Sequence, residues 1–246
     1  MKKVMKAIAA IMLMTAVVSI VGCKKTDDSN NGGDNNGGNG GNSLNNHEYV
    51  DLGLPSGLLW ATCNVGAETP EDYGDYFSWG ENWTKDYYSW SSYQYGNSDT
   101  GRYLLTKYCN NSSYGYNGYT DDLTILLPED DAATANWGNG WRMPTYDECM
   151  ELRDNTTHTW TTQNGVNGLL YTATNGNSLF LPAAGIRGSD VLFDAAIGGT
   201  YWSSSLDTRY PDGAWCFDFY SDSYRIVGSG RYNGVTVRPV CSSRQN

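Results

Sequence analysis

From His47 onward no apolar segment of the sequence is long. Gly, Asn and Ser interrupt every run, and the strong apolar stretches last only a few residues. A helix that buries one face needs apolar residues recurring over ten or more positions, whereas a strand needs only four to eight. A chain broken up in this way is expected to form many short strands joined by long loops. The clearest is Ala214 to Tyr220, where Trp215, Phe217 and Phe219 alternate with Cys216, Asp218 and Tyr220. That period of two puts three aromatic rings on one sheet face.

Other elements follow from local chemistry. Tyr49 to Leu52 reads as a first strand and Leu58 to Cys63 as its hairpin partner, with Pro55-Ser56-Gly57 as the turn. Gly168 to Thr174 and Ser178 to Pro182 flank Asn175-Gly176, a strong hairpin signal. Tyr224 to Val227 and Val235 to Val240 are expected beside Ala214 to Tyr220, and Pro239 places the last of these at an edge or ends it there. Pro128 to Ala133 carries Pro and acids in a first helical turn, and Gly138 stops that helix. Pro144 to Leu152 reads as a second helix, capped by Thr145 and Glu148. Tyr146, Cys149, Met150 and Arg153 share one side of it, which turns Cys149 inward. The class is α+β: short antiparallel strands, about two helices, long loops and no tandem repeat.

The N-terminus has a different character. Lys2, Lys3 and Lys6 precede an apolar run from Ala7 to Ile20, too short to span a bilayer and suited to secretion. The run ends at Ser19-Ile20-Val21-Gly22-Cys23, which resembles the lipobox of bacterial lipoproteins. The resemblance implies that residues 1–22 are a signal peptide, that Cys23 is acylated, and that the protein is anchored to the outer membrane, facing the exterior. Lys24-Lys25-Thr26-Asp27-Asp28 is similar to the charged export tag of surface lipoproteins in Bacteroidetes-type bacteria. Residues 23–46, rich in Gly and Asn, then form a tether reaching roughly 25 Å on average, ahead of a domain over 47–246.

Charge narrows the partners. The formal net charge is −11, and an acidic chain has no attraction for phosphate backbones, so nucleic acid is not an expected ligand. Acidity also repels anionic lipid, which leaves the acyl chains to hold the membrane. Export permits disulfides, yet Cys63, Cys109, Cys149, Cys216 and Cys241 are odd in number, so at least one has no partner among them. Buried free thiols remain an alternative for all five. No Cys-x-x-Cys spacing marks a zinc site.

Several stretches stand out together. They are Glu48-Tyr49-Val50-Asp51-Leu52-Gly53-Leu54, Leu59-Trp60-Ala61-Thr62-Cys63-Asn64-Val65-Gly66, and Tyr73-Gly74-Asp75-Tyr76-Phe77-Ser78-Trp79-Gly80-Glu81. Asn136-Trp137-Gly138, Gly140-Trp141-Arg142-Met143-Pro144-Thr145 and Leu181-Pro182-Ala183-Ala184-Gly185 follow, then Tyr201-Trp202-Ser203-Ser204-Ser205 and Val237-Arg238-Pro239-Val240. Their order and spacing over about residues 47 to 242 resemble the Fibrobacter succinogenes major paralogous domain, a family abundant in Bacteroidetes-type lipoproteins. The resemblance implies a C-type-lectin-like fold, which formylglycine-generating enzymes also use.

Catalytic readings find little support in the residues. A serine nucleophile at Ser203 to Ser205 needs a base; the two histidines are His47, at the edge of the tether, and His158, in a polar loop. There is no Gly-x-Ser-x-Gly elbow. The short hydroxyls are expected to bond neighbouring backbone while Tyr201 and Trp202 fill the core. Cys216 and Cys241 are the thiol pair to weigh against formylglycine chemistry, and no adjacent cation activates either. Glu68, Glu71, Asp75, Glu81, Asp121, Asp122, Asp207, Asp212 and Asp218 offer carboxylates for glycoside hydrolysis, without a distinguishable pair. The Glu-Pro-Asn, Gln-Pro-Asp and Trp-Asn-Asp tripeptides of calcium-dependent lectins are absent, which leaves a structural ion near Asp218 or Asp222 as the calcium alternative. No catalytic residue, metal site or cofactor is therefore assigned.

Between Trp83 and Tyr119 aromatics are interleaved with Ser, Asn, Asp and Gly. Exposed rings beside small polar groups suit stacking on sugars and adaptable protein contacts. Trp83, Tyr87, Tyr88 and Trp90 are the expected contacts of a non-catalytic, surface-exposed binding module for a glycan or another surface protein. The alternatives are a structural envelope or fimbria-like subunit and an enzyme of polysaccharide or thiol chemistry.

Overall fold

The computed structural model describes residues 42–99 and 102–242. In chain order the strands are β1 (Ser43–Leu44), β2 (His47–Asp51), β3 (Leu58–Ala61), β4 (Gly96–Asp99), β5 (Arg102–Leu105) and β6 (Trp141–Arg142). They continue as β7 (Thr156–Gln163), β8 (Val166–Ala173), β9 (Ser178–Pro182), β10 (Ile186–Gly188) and β11 (Val191–Phe193). The last are β12 (Gly198–Leu206), β13 (Gly213–Tyr220), β14 (Tyr224–Gly230) and β15 (Val240–Ser242). Two helices, α1 (Ala132–Trp137) and α2 (Tyr146–Asn155), and short 3-10 turns complete the described elements. The protein is thus mostly β, with antiparallel ladders; parallel pairing occurs as isolated bridges.

One five-stranded sheet, in the order β1-β2-β3-β15-β6, joins an early part of the chain to a late one. Trp60 of β3 lies opposite Val50 on one side and Val240 on the other. Two three-stranded sheets, β7-β8-β9 and β12-β13-β14, supply most of the remaining order. Every residue of β12 is buried. Its pairs with β13 alternate between two cores. Tyr201 and Phe217 face one cluster with Trp60, Tyr171, Phe219, Cys149 and Leu152. Trp202 and Cys216 face a second, with Phe77, Trp79, Trp141, Met143 and Cys241. Full burial of a large apolar side chain contributes about 1.5–3 kcal/mol, so this shared wall is the centre of stability.

The stretches singled out in the sequence interlock here. Trp202 donates its indole N–H to the Phe77 carbonyl (2.8 Å), Trp79 donates to the Ser203 carbonyl (2.8 Å), and Tyr201 donates to the Pro182 carbonyl (2.7 Å). Arg238 is buried and donates to Asn64 Oδ1 (2.8 Å) and the Ala61 carbonyl (3.1 Å). Gly185 ends its stretch at φ +67°, where a Cβ would lie 2.1 Å from the Phe193 carbonyl oxygen; only glycine fits that turn.

The Asn175-Gly176 hairpin, the β2–β3 hairpin and the Thr145/Glu148 capping box form as expected. Several expectations need correction. The acids of Pro128–Asp130 form a separate 3-10 turn, and Asp131, whose side chain accepts from Thr134 N, caps a helix that begins at Ala132. In α2 the buried residues are Cys149 and Leu152; Tyr146, Met150 and Arg153 are only partly covered. Within residues 235–240, Thr236 bridges Tyr201 of β12, Val235 bridges Phe77, and Val237 and Pro239 accept from Val65 N and Ala61 N; no pairing with β13 occurs among the described residues. Pro239 sits ahead of β15, which has neighbours on both sides and is no edge. Among the described residues, Ser43 and Leu44 form β1, within the stretch expected as tether.

Candidate binding surface

The loop carrying Trp83, Tyr87, Tyr88 and Trp90 is pinned from beneath. Glu81 is 1% exposed; its Oε2 lies 2.6 Å from Lys85 Nζ and its Oε1 accepts from Gln94 N at 2.7 Å. Beside it Arg231 is fully buried, with its guanidinium over the rings of Trp79, Tyr93 and Tyr108 at 4.9, 5.3 and 5.8 Å. Arg231 Nε donates to the Tyr93 hydroxyl (2.8 Å), Nη1 to the Tyr108 and Pro211 carbonyls (both 3.0 Å), and Nη2 to the Lys107 carbonyl (3.1 Å). One side chain thereby ties four segments together.

On this base the four expected contacts separate. Tyr88 exchanges backbone hydrogen bonds with Ser189, and its hydroxyl donates to the Tyr76 carbonyl at 2.6 Å. It is 1% exposed and cannot present a ring to a ligand. Trp90 is half-buried, a roof over Tyr93, Leu105 and Cys109, with its ring 5.0 Å from Tyr232 and stacked at 15° on Tyr103. Tyr87 and Trp83 point outward, 50% and 46% exposed. Neither ring makes an aromatic or cation contact among the described residues, and about half of each side chain remains accessible to a ligand. Each sits beside a fixed neighbour. Ser92 Oγ donates to the Tyr87 carbonyl at 2.6 Å. Asn82, next to Trp83, donates to the Glu129 carbonyl (2.9 Å) and accepts from Asn136 (3.2 Å). Tyr103, 38% exposed, joins this surface without having been singled out in the sequence.

The serine cluster is committed to structure. Ser203 Oγ donates to the Trp215 carbonyl (2.8 Å), Ser204 Oγ to the Pro144 carbonyl (3.3 Å), and Ser205 Oγ accepts from Tyr146 N (3.0 Å). His158 lies in β7, not in a loop, and packs against Tyr224 and Tyr171. His47, in β2, stacks on Trp137 at 3.7 Å. Neither environment includes these hydroxyls.

Cys109, Cys149, Cys216 and Cys241 are free, buried thiols. Burial raises all four, Cys241 to about 11. Thiolate, the reactive form, is therefore disfavoured at neutral pH. Several carboxylates are occupied. Glu71 accepts from Gln163 and Asn164, Asp121 from the backbone of Tyr108, Cys109 and Leu123, Asp207 pairs with Arg209, and Asp218 pairs with Arg225 and accepts from Thr200. Asp222 is in an exposed turn. Among the described residues no group of three or more His, Cys, Asp or Glu is placed to hold a metal ion.

A cleft of about 450 Å³ opens beside α1, floored by Leu126, Trp141 and Met143. Its single lining acid, Asp131, has burial raising its carboxyl, and the oxygens accept from Thr134 N and Met143 N. No described helix is long and apolar enough to cross a membrane. Cys23, the leader and most of the tether lie outside the described residues. Comparison with known protein families, curated proteins and solved structures returns no match for this chain.

Proposed function

We propose that the chain is an outer-membrane lipoprotein of the Fibrobacter succinogenes major paralogous type. It is anchored through Cys23, and its C-type-lectin-like head binds a glycan or another surface protein without catalysis. The observation that carries the reading is the pairing of open rings with a rigid base: Trp83 and Tyr87 are half-exposed while Asn82, Glu81, Tyr88 and Ser92 around them are fixed by hydrogen bonds. Rigid aromatics lose little entropy on binding and present an apolar face with polar surroundings, the combination a sugar ring or a protein loop requires. The motif order described above and the lipobox-like leader support the family and the anchor.

The test is a glycan array and polysaccharide pull-down with the wild-type chain and the Trp83→Ala/Tyr87→Ala variant. An aromatic contact is worth about 0.5–1.5 kcal/mol, so losing two weakens binding roughly 5- to 150-fold. Chelator leaves the signal unchanged. Undiminished binding by the double variant, or a signal abolished by chelator, refutes the reading.

A further inference from the structure

The sheet β7-β8-β9 ends on β7, whose residues read Thr-Thr-His-Thr-Trp-Thr-Thr-Gln. Its pairing with β8 runs without a bulge from Thr156 opposite Ala173 to Gln163 opposite Val166. At about 3.4 Å per residue this is an edge of roughly 27 Å. Half of its backbone N–H and C=O groups point away from β8, and no hydrogen bond from the β7 backbone to an element beyond the β8 ladder occurs among the described residues. Thr157, His158, Thr159 and Thr162 are exposed.

Edges of this kind are normally guarded by charge, proline, glycine, bulges or shortness. The outer strands of the other sheets of three or more strands follow that rule. β1 and β6 have two residues each. β9 ends on Pro182, and β14 carries Arg225, Gly228 and Gly230. β12 is covered by bridges to Ile125, Gly185 and Thr236. β7 has none of these guards. It also carries no Asp, Glu, Lys or Arg in a chain of net charge −11. Two copies repel over most of their surface, and this strand is a long edge where they meet without facing charges. The nearest acids are already occupied: Asp154 by Arg153 (2.7 Å), Glu71 by Gln163 and Asn164.

We infer that β7 is a self-association edge, at which a second copy of this chain adds its own β7 antiparallel. The two-fold axis is normal to the sheet and centred on Thr159. Such an axis keeps the core faces of both copies on one side and fuses two three-stranded sheets into a continuous one. The surface of Trp83 and Tyr87 belongs to a different loop, so this inference stands independently of the ligand-binding reading.

Sedimentation velocity and light scattering of the full chain at increasing concentration read the mass. The wild-type chain is expected to form a dimer. In Thr157→Lys/Thr159→Lys, Lys at 159 faces its own counterpart across the axis and Lys at 157, opposite Thr161 of the other copy, adds a diagonal like charge, and the mass halves. Thr159→Cys, on the otherwise unchanged chain, gives a covalent dimer on mild oxidation above the level of the wild-type chain. Circular dichroism of both variants matches wild type. A wild-type chain that stays monomeric, a dimer that survives the double lysine substitution, or a Thr159→Cys chain that does not cross-link overturns the inference.

Discussion

Replacing Arg231 by Met is the most direct trial of how the aromatic loop is held. The substitution keeps much of the stem volume and removes the cation. Four buried acceptors then lose their donor: the Tyr93 hydroxyl and the carbonyls of Lys107, Tyr108 and Pro211. Each orphaned buried group costs about 1–3 kcal/mol, and three ring contacts worth about 0.5–2 kcal/mol each go with them. Against this, the chain no longer has to desolvate a guanidinium, an effective penalty of several kcal/mol. The orphaned acceptors and lost ring contacts outweigh that relief, and single substitutions beyond about 4–5 kcal/mol are exceptional, so the net expected loss is about 3–5 kcal/mol. For a chain of this size that lowers Tm by roughly 6–20 °C. Arg231→Lys keeps the charge but offers three donors in place of a fork, so it falls between the two. Urea and thermal unfolding followed by tryptophan fluorescence give the numbers, and limited proteolysis locates the opening within residues 83–119. A Met variant that melts within about 2 °C of wild type, with unchanged cleavage, refutes the claim that this arginine secures the loop.

Acid sensitivity and thiol accessibility supply two more expected outcomes. Burial pushes the Asp130 carboxyl up, but hydrogen bonds from Lys107, Tyr108 and Tyr95 outweigh it and hold it below the ordinary Asp value; Glu148 is lowered by Arg142 and Thr145 in the same way. A carboxyl lower in the folded than in the unfolded chain stabilises fully above about pH 4 and loses that contribution as pH falls through its folded value. The urea midpoint therefore drops below pH 4, more steeply in wild type than in Asp130→Asn, and equal slopes contradict the assignment. Cys109, Cys149, Cys216 and Cys241 stay silent to a thiol reagent in the native chain at pH 8 and react on unfolding; prompt native labelling at any of them, mapped by mass spectrometry, contradicts the packing.

What the sequence disclosed were features with a local cause. Asn175-Gly176 sets a hairpin through its own backbone preferences, and Thr145 with Glu148 closes a helix end within three residues. The alternation in Ala214 to Tyr220 needed only the pleat. Features decided by distant partners were not legible. Tyr87 and Tyr88 are adjacent and alike in composition, yet one is half-exposed and the other buried, because Ser189 pairs with the second. Nothing in the neighbouring sequence marks Arg231 or Arg238 as buried; their burial depends on carbonyls gathered from Ala61, Lys107 and Tyr108. The density of aromatics around residues 79–108 was the available signal for the first of them. Residues 235–240 look like a strand of the β13 sheet, but their alternation does not say which strand they lie beside.

The pairing of Trp60 with Val240 has a consequence for the order in which the molecule is completed. β3 is made early, and one side of it stays open until β15 has emerged. Contacts so distant along the chain form late and slowly. The first hairpin therefore waits, incompletely covered, until residues 62–239 have followed it, and a premature stop anywhere before Val240 leaves Trp60 without the neighbour that covers it.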